Sequence, residues 1–320
     1  MITTSRAAMG TLVQVTAHPD RADAKDRVEA AIEAAFAEIA RLEDLLSVWR
    51  PLGDVGRLNR AEGRPVRVAP ETLDVLGHAQ ATSEVSEGAF DVTFEAMSDL
   101  WRFGDAAQEH PRLPSEDEVA RCRQLVDYRK IEIDRERETV RLPAGMRLGL
   151  GGIGKGYIVD RAADVMKAQG LGSFFIQAGG DILGVGRKPS GQSWKSGIQD
   201  PRAPRGSYFA ILGFSDHAFS TAGDYAHAYV IDGRRYHHII DPRTGYPATQ
   251  CRSVTVWAED AVTADALDDA VFVLGPERGL ALIERTPGVG AVIVDAENRL
   301  IVSKRLKSIL TLLHPPTDAA

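Results

Sequence analysis

The chain has 320 residues, 44% of them hydrophobic and 26% charged, with a formal net charge of −7. That is enough apolar material for a sizeable core, and the acidic balance excludes nucleic acid or an anionic membrane as the main expected partner. Two cysteines far apart, Cys122 and Cys251, make neither a disulfide framework nor a CxxC motif and read as ordinary thiols.

Taken in chain order, residues 10–17 (GTLVQVTA) alternate as a first strand. No run of about 18 apolar residues follows, and no basic-then-apolar leader precedes it. The sequence as written therefore predicts a cytoplasmic protein, or a periplasmic one whose export signal has been removed. Val28, Ile32, Ala35, Ile39, Leu42 and Leu46 recur three or four apart and predict a long amphipathic helix. Pro70 suits the first position of a second helix reaching about Val85. Ser115 and Glu118 form a capping box for a third. Short strands are expected at 130–134 and 139–142. A glycine-rich stretch at 149–156 leads into a helix over 156–169, with Gly170 as its C′ residue. Strands are expected near 173–178, 207–214, 228–232, 236–240 and 252–258, then helices over 262–273 and 276–286 and paired strands within 289–303. The stretch DPRAPRGS (200–207) reads as a surface loop. Helices cluster early and late with strands between them, which predicts an α+β fold.

Five stretches carry chemistry. LGLGGIGKGYIVDRAADVM (148–166) has a phosphate-loop look, but Gly156 stands where a Walker A motif needs Ser or Thr, and no Rossmann acid follows. It is either a structural turn or a backbone cradle with a helix N-terminus facing an anion. GAFDVTFEAMSDLWRFG (88–104) is either core or the apolar-plus-polar wall of a flavin or adenine pocket. TADALDDAVFVLG (263–275) puts Asp265, Asp268 and Asp269 on one helix face, as a solvated acidic face or as hard oxygen ligands for Mg²⁺ or Ca²⁺. FSTAGDYAHAYVIDG (219–233) reads as a turn, a strand and a hairpin through Asp232-Gly233. YHHIIDPRTGYPAT (236–249) reads as a strand and a tight turn. Adjacent strand residues face opposite ways, so His237 and His238 cannot both serve one metal, and a single working histidine is expected. Asp241 either orients that imidazole or holds the turn.

In order, these stretches resemble the FAD:protein FMN transferase (ApbE) family. Met9-Gly10-Thr11, RLEDLLSVWRPLGDVGRLNRAEG (41–63), AFDVT…LWRFG, GGIGKGYIVD, AGGDI (178–182), STAGDY (220–225), HHIIDPRTGYPA and TADAL…VFVLG are similar to the family's segments and follow its order from about residue 9 to 310. The resemblance implies a two-lobed, T-fold-related α+β architecture. Residues 1–320 would be a single domain of two interleaved lobes, with a flavin cleft between them. It implies a Mg²⁺-dependent transfer of FMN from FAD to a Ser or Thr hydroxyl of an acceptor flavoprotein, with release of AMP. An FAD pyrophosphohydrolase, or an FAD-binding relative without turnover, are the alternatives.

Carried over by position, Met9, Trp49, Ala89, Phe90, Asp91, Lys155 and Ile240 would contact FAD. Gly152 (through its carbonyl), Asp265, Asp268 and Asp269 would hold the metal, and His238 would be the base. Four positions depart from the family pattern. Gly149 replaces an Asp, Asp269 a Thr and Trp49 a Tyr, and an Arg after the GDY turn is replaced around His227. Gly149 removes a carboxylate, Asp269 adds one able to ligate a metal, and Trp49 can still stack on a flavin ring.

Overall fold

A computed structural model describes residues 1–19, 25–103 and 112–318. Gly104, the last residue of the 88–104 stretch, lies outside them. Eight strands form one sheet whose spatial order is the chain order: β1 (Ile2–Ala8), β2 (Thr11–Ala17), β3 (Phe174–Ala178), β4 (Asp181–Val185), β5 (His217–Gly223), β6 (Cys251–Ala258), β7 (Gly290–Asp295) and β8 (Leu300–Val302). Every neighbouring pair is antiparallel. The long excursions of the chain leave this meander between β2 and β3, between β4 and β5, between β5 and β6, and between β6 and β7.

Four helices of fifteen residues or more accompany the sheet: α1 (Lys25–Leu46), α2 (Pro70–Val85), α3 (Gly154–Ala168) and α4 (Ala261–Arg285). α1 packs on α3, α3 on α4, and α4 on β5 and β6. The apolar stripe foreseen on α1 is buried at all six positions. Gly170 ends α3 in the left-handed region at φ +81°, and Leu171 N–H reaches back to the Met166 carbonyl at 3.2 Å, a Schellman closure. The Ser115–Glu118 capping box is present in both directions.

The other face of the sheet is covered by a three-stranded sheet of Trp194–Gln199, Tyr208–Phe214 and Leu310–Leu312. The two-residue period of the central strands deals side chains to both layers. Ala291 and Ile293 join the helix-side core, while Val292 and Val294 join the cluster around Trp194, Phe209 and Phe214. Strands buried on both faces read as continuous apolar runs, as in GAVIVD. A third, aromatic cluster of Met97, Trp101, Tyr229, Tyr236 and Ile240 ties the 88–103 segment to the hairpin between β5 and β6.

The α+β class holds, with three kinds of difference from the expected elements. β1, β4, β5, Val66–Arg67, Trp194–Gln199 and Leu310–Leu312 are among the additional strands. β1 is polar and largely exposed, and its pairing with β2 across the Met9-Gly10 turn defines it (φ +52° and +70°). The strand expected at 236–240 is two pieces, Arg234–His237 and Ile240–Asp241, which pair with different partners. The two late helices run on as α4, interrupted at Gly275 (φ +79°) just ahead of Pro276. No helix among the described residues is long and apolar enough to cross a membrane.

Candidate active site

The N-terminal half of α4 meets the N-terminus of α3. Asp260 caps α4 through Thr263 N–H at 2.8 Å, and Asp160, from α3, accepts the Ala261 and Val262 N–H groups at 2.9 and 2.8 Å. Burial, ahead of the Asp260 charge, pushes the Asp160 carboxyl up to about 7. The two helices approach so closely at Gly156 that a Cβ there would lie 2.6 Å from the Ala261 carbonyl carbon. Gly156 N–H donates to Asp265 Oδ2 at 2.8 Å.

This contact gathers an acidic cluster. Lys155 Nζ stands 3.1 Å from Asp181 Oδ2, 3.2 Å from Asp265 Oδ1 and 3.4 Å from the Gly151 carbonyl. Ser220 donates to Asp181 Oδ1 and also lies within hydrogen-bond reach of Asp268. One hydroxyl proton serves only one of these carboxylates at a time. Asp269 faces Gly152: a Cβ at Gly152 would collide with Asp269 Oδ2 and come within 3.3 Å of Phe90 Cε2. Burial, then Asp181, pushes the Asp265 carboxyl up to about 7. Burial likewise raises Asp269 to about 6, and burial with the Asp269 and Asp265 charges raises Asp268 well above the carboxylate range. Burial works against the Lys155 ammonium, but Asp181, Asp265 and Asp268 outweigh it and hold its pKa well above the ordinary lysine value. A third of the Lys155 side-chain surface still meets solvent.

The residues expected to hold a metal are therefore brought together, with Asp181 and Ser220 added. Among the described residues, however, no three His, Cys, Asp or Glu stand as a ready-made ligand set. Four carboxylates facing one ammonium leave a formal −3 when all are ionised. Every donor is a hard oxygen, and the buried Asp181 Oδ2 has the Lys155 ammonium, 3.1 Å away, as its partner. A divalent cation such as Mg²⁺ fits that chemistry.

The histidines separate as alternation requires. His237 is buried, its Nε2 at 2.7 Å from the Ala248 carbonyl and its Nδ1 accepting Ile239 N–H at 3.3 Å. His238 is exposed, with Nδ1 at 3.0 Å from the Ala226 carbonyl, so Nδ1 carries the proton and Nε2 is the free base. Desolvation, then the His227 and His237 rings and Lys155, push its pKa down to about 4. The ring is therefore neutral at pH 7. Asp241 does not reach that ring. It accepts Arg243 N–H at 2.9 Å and grips the Arg243 guanidinium through both oxygens at 2.8 and 2.9 Å, which settles it as the holder of the turn.

The expected flavin contacts divide. Lys155 and Phe90 belong to the cluster, and Ala89 is buried beside Phe90. Both oxygens of Asp91 are engaged internally, by Thr93 N–H and hydroxyl and by Tyr128 N–H, so here it shapes the wall. Ile240 is packed in the aromatic cluster. Met9 N–H is anchored on Glu43 at 2.8 Å, and Trp49 is 88% exposed on the loop after α1. At Gly149, the Glu95 carboxylate fills the space of the missing side chain, 2.5 Å from where a Cβ would stand. Asp181 and Ser220 were legible only as members of AGGDI and STAGDY; nothing in their local pattern marks them as site residues.

The family model of the ApbE family matches residues 9–293. The chain is 33% identical to an FAD:protein FMN transferase of Treponema pallidum, covering 93% of this chain and 86% of that protein. It is 32% identical to one from Vibrio cholerae, covering 88% and 83%. The crystal structure of an ApbE protein from Thermotoga maritima superposes with a TM-score of 0.87 at 31% identity, covering 96% of this chain and 98% of that one. Sequence and fold match over most of the chain at once, and the chain is a transferase that belongs to the ApbE family.

Proposed function

We propose that the chain is a Mg²⁺-dependent FAD:protein FMN transferase that moves FMN from FAD onto a Ser or Thr hydroxyl of an acceptor protein and releases AMP. The observation that carries this reading is a neutral, exposed His238, held by Nδ1 on the Ala226 carbonyl, together with the acidic cluster of Asp181, Asp265, Asp268 and Asp269 around Lys155, whose ammonium helps to keep the His238 ring neutral. The names of the relatives supply the substrate class.

Each residue then has a task. Nδ1–H of His238 is held on the Ala226 carbonyl, which presents Nε2 as the proton acceptor for the acceptor hydroxyl. As that oxygen forms its bond to the FMN phosphorus, the phosphorus–oxygen bond to AMP breaks and the proton passes to Nε2. Lys155, on the first turn of α3, offers a point charge to the diphosphate. Asp265, Asp268, Asp269 and the Gly152 carbonyl would hold Mg²⁺, which supplies electrostatic stabilisation of charge on the diphosphate when bound.

The test is incubation with FAD, Mg²⁺ and a flavinylatable acceptor, with AMP and covalent flavin as readouts. His238→Ala should lose at least ~100-fold in transfer while still binding FAD. Near-wild-type transfer by that variant would remove His238 as the base. FMN accumulating without any acceptor would reassign the chain as a pyrophosphohydrolase, and tight FAD binding with no AMP in any mixture as a flavin-binding protein.

A further inference from the structure

Lys155 occupies an unusual place for a substrate-binding lysine. Its ammonium is surrounded by two carboxylate oxygens at 3.1 and 3.2 Å and the Gly151 carbonyl at 3.4 Å, a cradle of hard oxygens around one point of charge. The second oxygen of Asp265 is taken by Gly156 N–H and Asp181 Oδ1 by the Ser220 hydroxyl, so at both carboxylates the oxygen left over faces Lys155. The backbone beside the lysine is closely packed, because Gly156 lies directly against Ala261. Only the flexible four-carbon stem can move, and part of it is in contact with solvent.

We propose that Lys155 is a built-in counter-ion: it fills the cation position of the cluster while no metal is bound, and divalent-ion binding displaces its ammonium toward the anionic part of the substrate. This rests on the transferase reading above for the identity of that substrate. A dication and an ammonium repel each other strongly at such separations, so both cannot occupy the same cradle. Without a cation, four carboxylates at the α3–α4 contact would face each other in a largely dehydrated space, which the lysine prevents. Displacement also frees the lysine for a phosphate oxygen only when the metal is in place. Metal and diphosphate binding are thereby coupled, each strengthening the other.

Mg²⁺ titration of the flavin-free protein by calorimetry, comparing wild type with Lys155→Met, tests this directly. Met keeps the stem and deletes the competing charge. Lys155→Met should bind Mg²⁺ at least tenfold more tightly, melt at a lower temperature in chelator, and gain more on Mg²⁺ addition than wild type. Equal or weaker Mg²⁺ binding by folded Lys155→Met would overturn the proposal. If that variant does not fold, amine acetylation of wild-type Lys155, followed by mass spectrometry, carries the test. The rate should rise several-fold with Mg²⁺, and an unchanged or lower rate would overturn it. Neither readout requires turnover, so failure of the transferase reading would show as absent AMP release with the metal response intact.

Discussion

Gly156→Ala probes the contact on which the site is built. A Cβ at this position falls inside the Ala261 carbonyl oxygen, 2.6 Å from its carbon and 2.8 Å from Asp265 Cβ. The carbonyl belongs to the first turn of α4, held by Asp160 and Asp260, so it cannot rotate away as a flexible side chain would. Alanine is favoured over glycine in a helix by about 1 kcal/mol. Against this stand about 1–3 kcal/mol for overpacking and about 1.5–3 kcal/mol if the Gly156 N–H to Asp265 bond is lost. With that bond lost, the net is a destabilisation of about 1.5–5 kcal/mol, or a melting-point drop of about 3–10 °C at roughly 2 °C per kcal/mol, a value suited to a chain of this size. Gly154→Ala is the control, because its Cβ would meet only Leu150 Cβ at 3.4 Å; it should stay within about 1 kcal/mol of wild type. Urea unfolding of both variants decides the matter. Equal stability of the two would refute the close-approach account of the α3–α4 junction.

Three further outcomes are expected. The pKa values of Asp265 and Asp269 are raised to about 7 and about 6, and that of Asp268 is raised well above the ordinary carboxylate value, so their protonated forms favour the folded state. That contribution is complete below the ordinary carboxylate value near 4 and is lost as pH rises through 6 to 7. In chelator, the melting temperature should fall between pH 5 and 8, and Mg²⁺ should flatten the fall. His227 stands edge-on to His238 with centroids 5.4 Å apart and helps to depress its pKa, so His227→Ala should move the acid limb of the transfer-rate profile to higher pH. Trp49→Ala removes an exposed ring and should change stability by less than about 0.5 kcal/mol while weakening FAD binding in a fluorescence titration.

Much of the molecule was legible where one residue type has one physical use. The α1 stripe, Pro70, the Ser115 box, Gly170 and the Asp232-Gly233 hairpin all stand as read, because caps, tight turns and amphipathic faces are decided within a few residues. Strands were harder. β1 has little apolar signal of its own, and β5 carries the small residues HAFSTAG, which resemble a turn until a sheet neighbour is supplied on each side. The same limit applied to the site. Alternation separated His237 from His238, but it could not show that the strand breaks at His238, nor that Asp241 spends both oxygens on Arg243.

The sequence by itself determined the fold class, the family resemblance, the acid face at 265–269 and the separation of His237 from His238, since each follows from local spacing or an ordered set of short segments. Only the tertiary structure decided what the acid face meets. Asp181 is 84 residues from Asp265 in the chain, and Lys155 is 110 residues away. No periodicity links them until β4, α3 and α4 are packed together. The choice between a solvated acidic face and a buried, cation-seeking cluster is a question of dehydration. That depends on what covers the carboxylates, and therefore on the packing of distant segments.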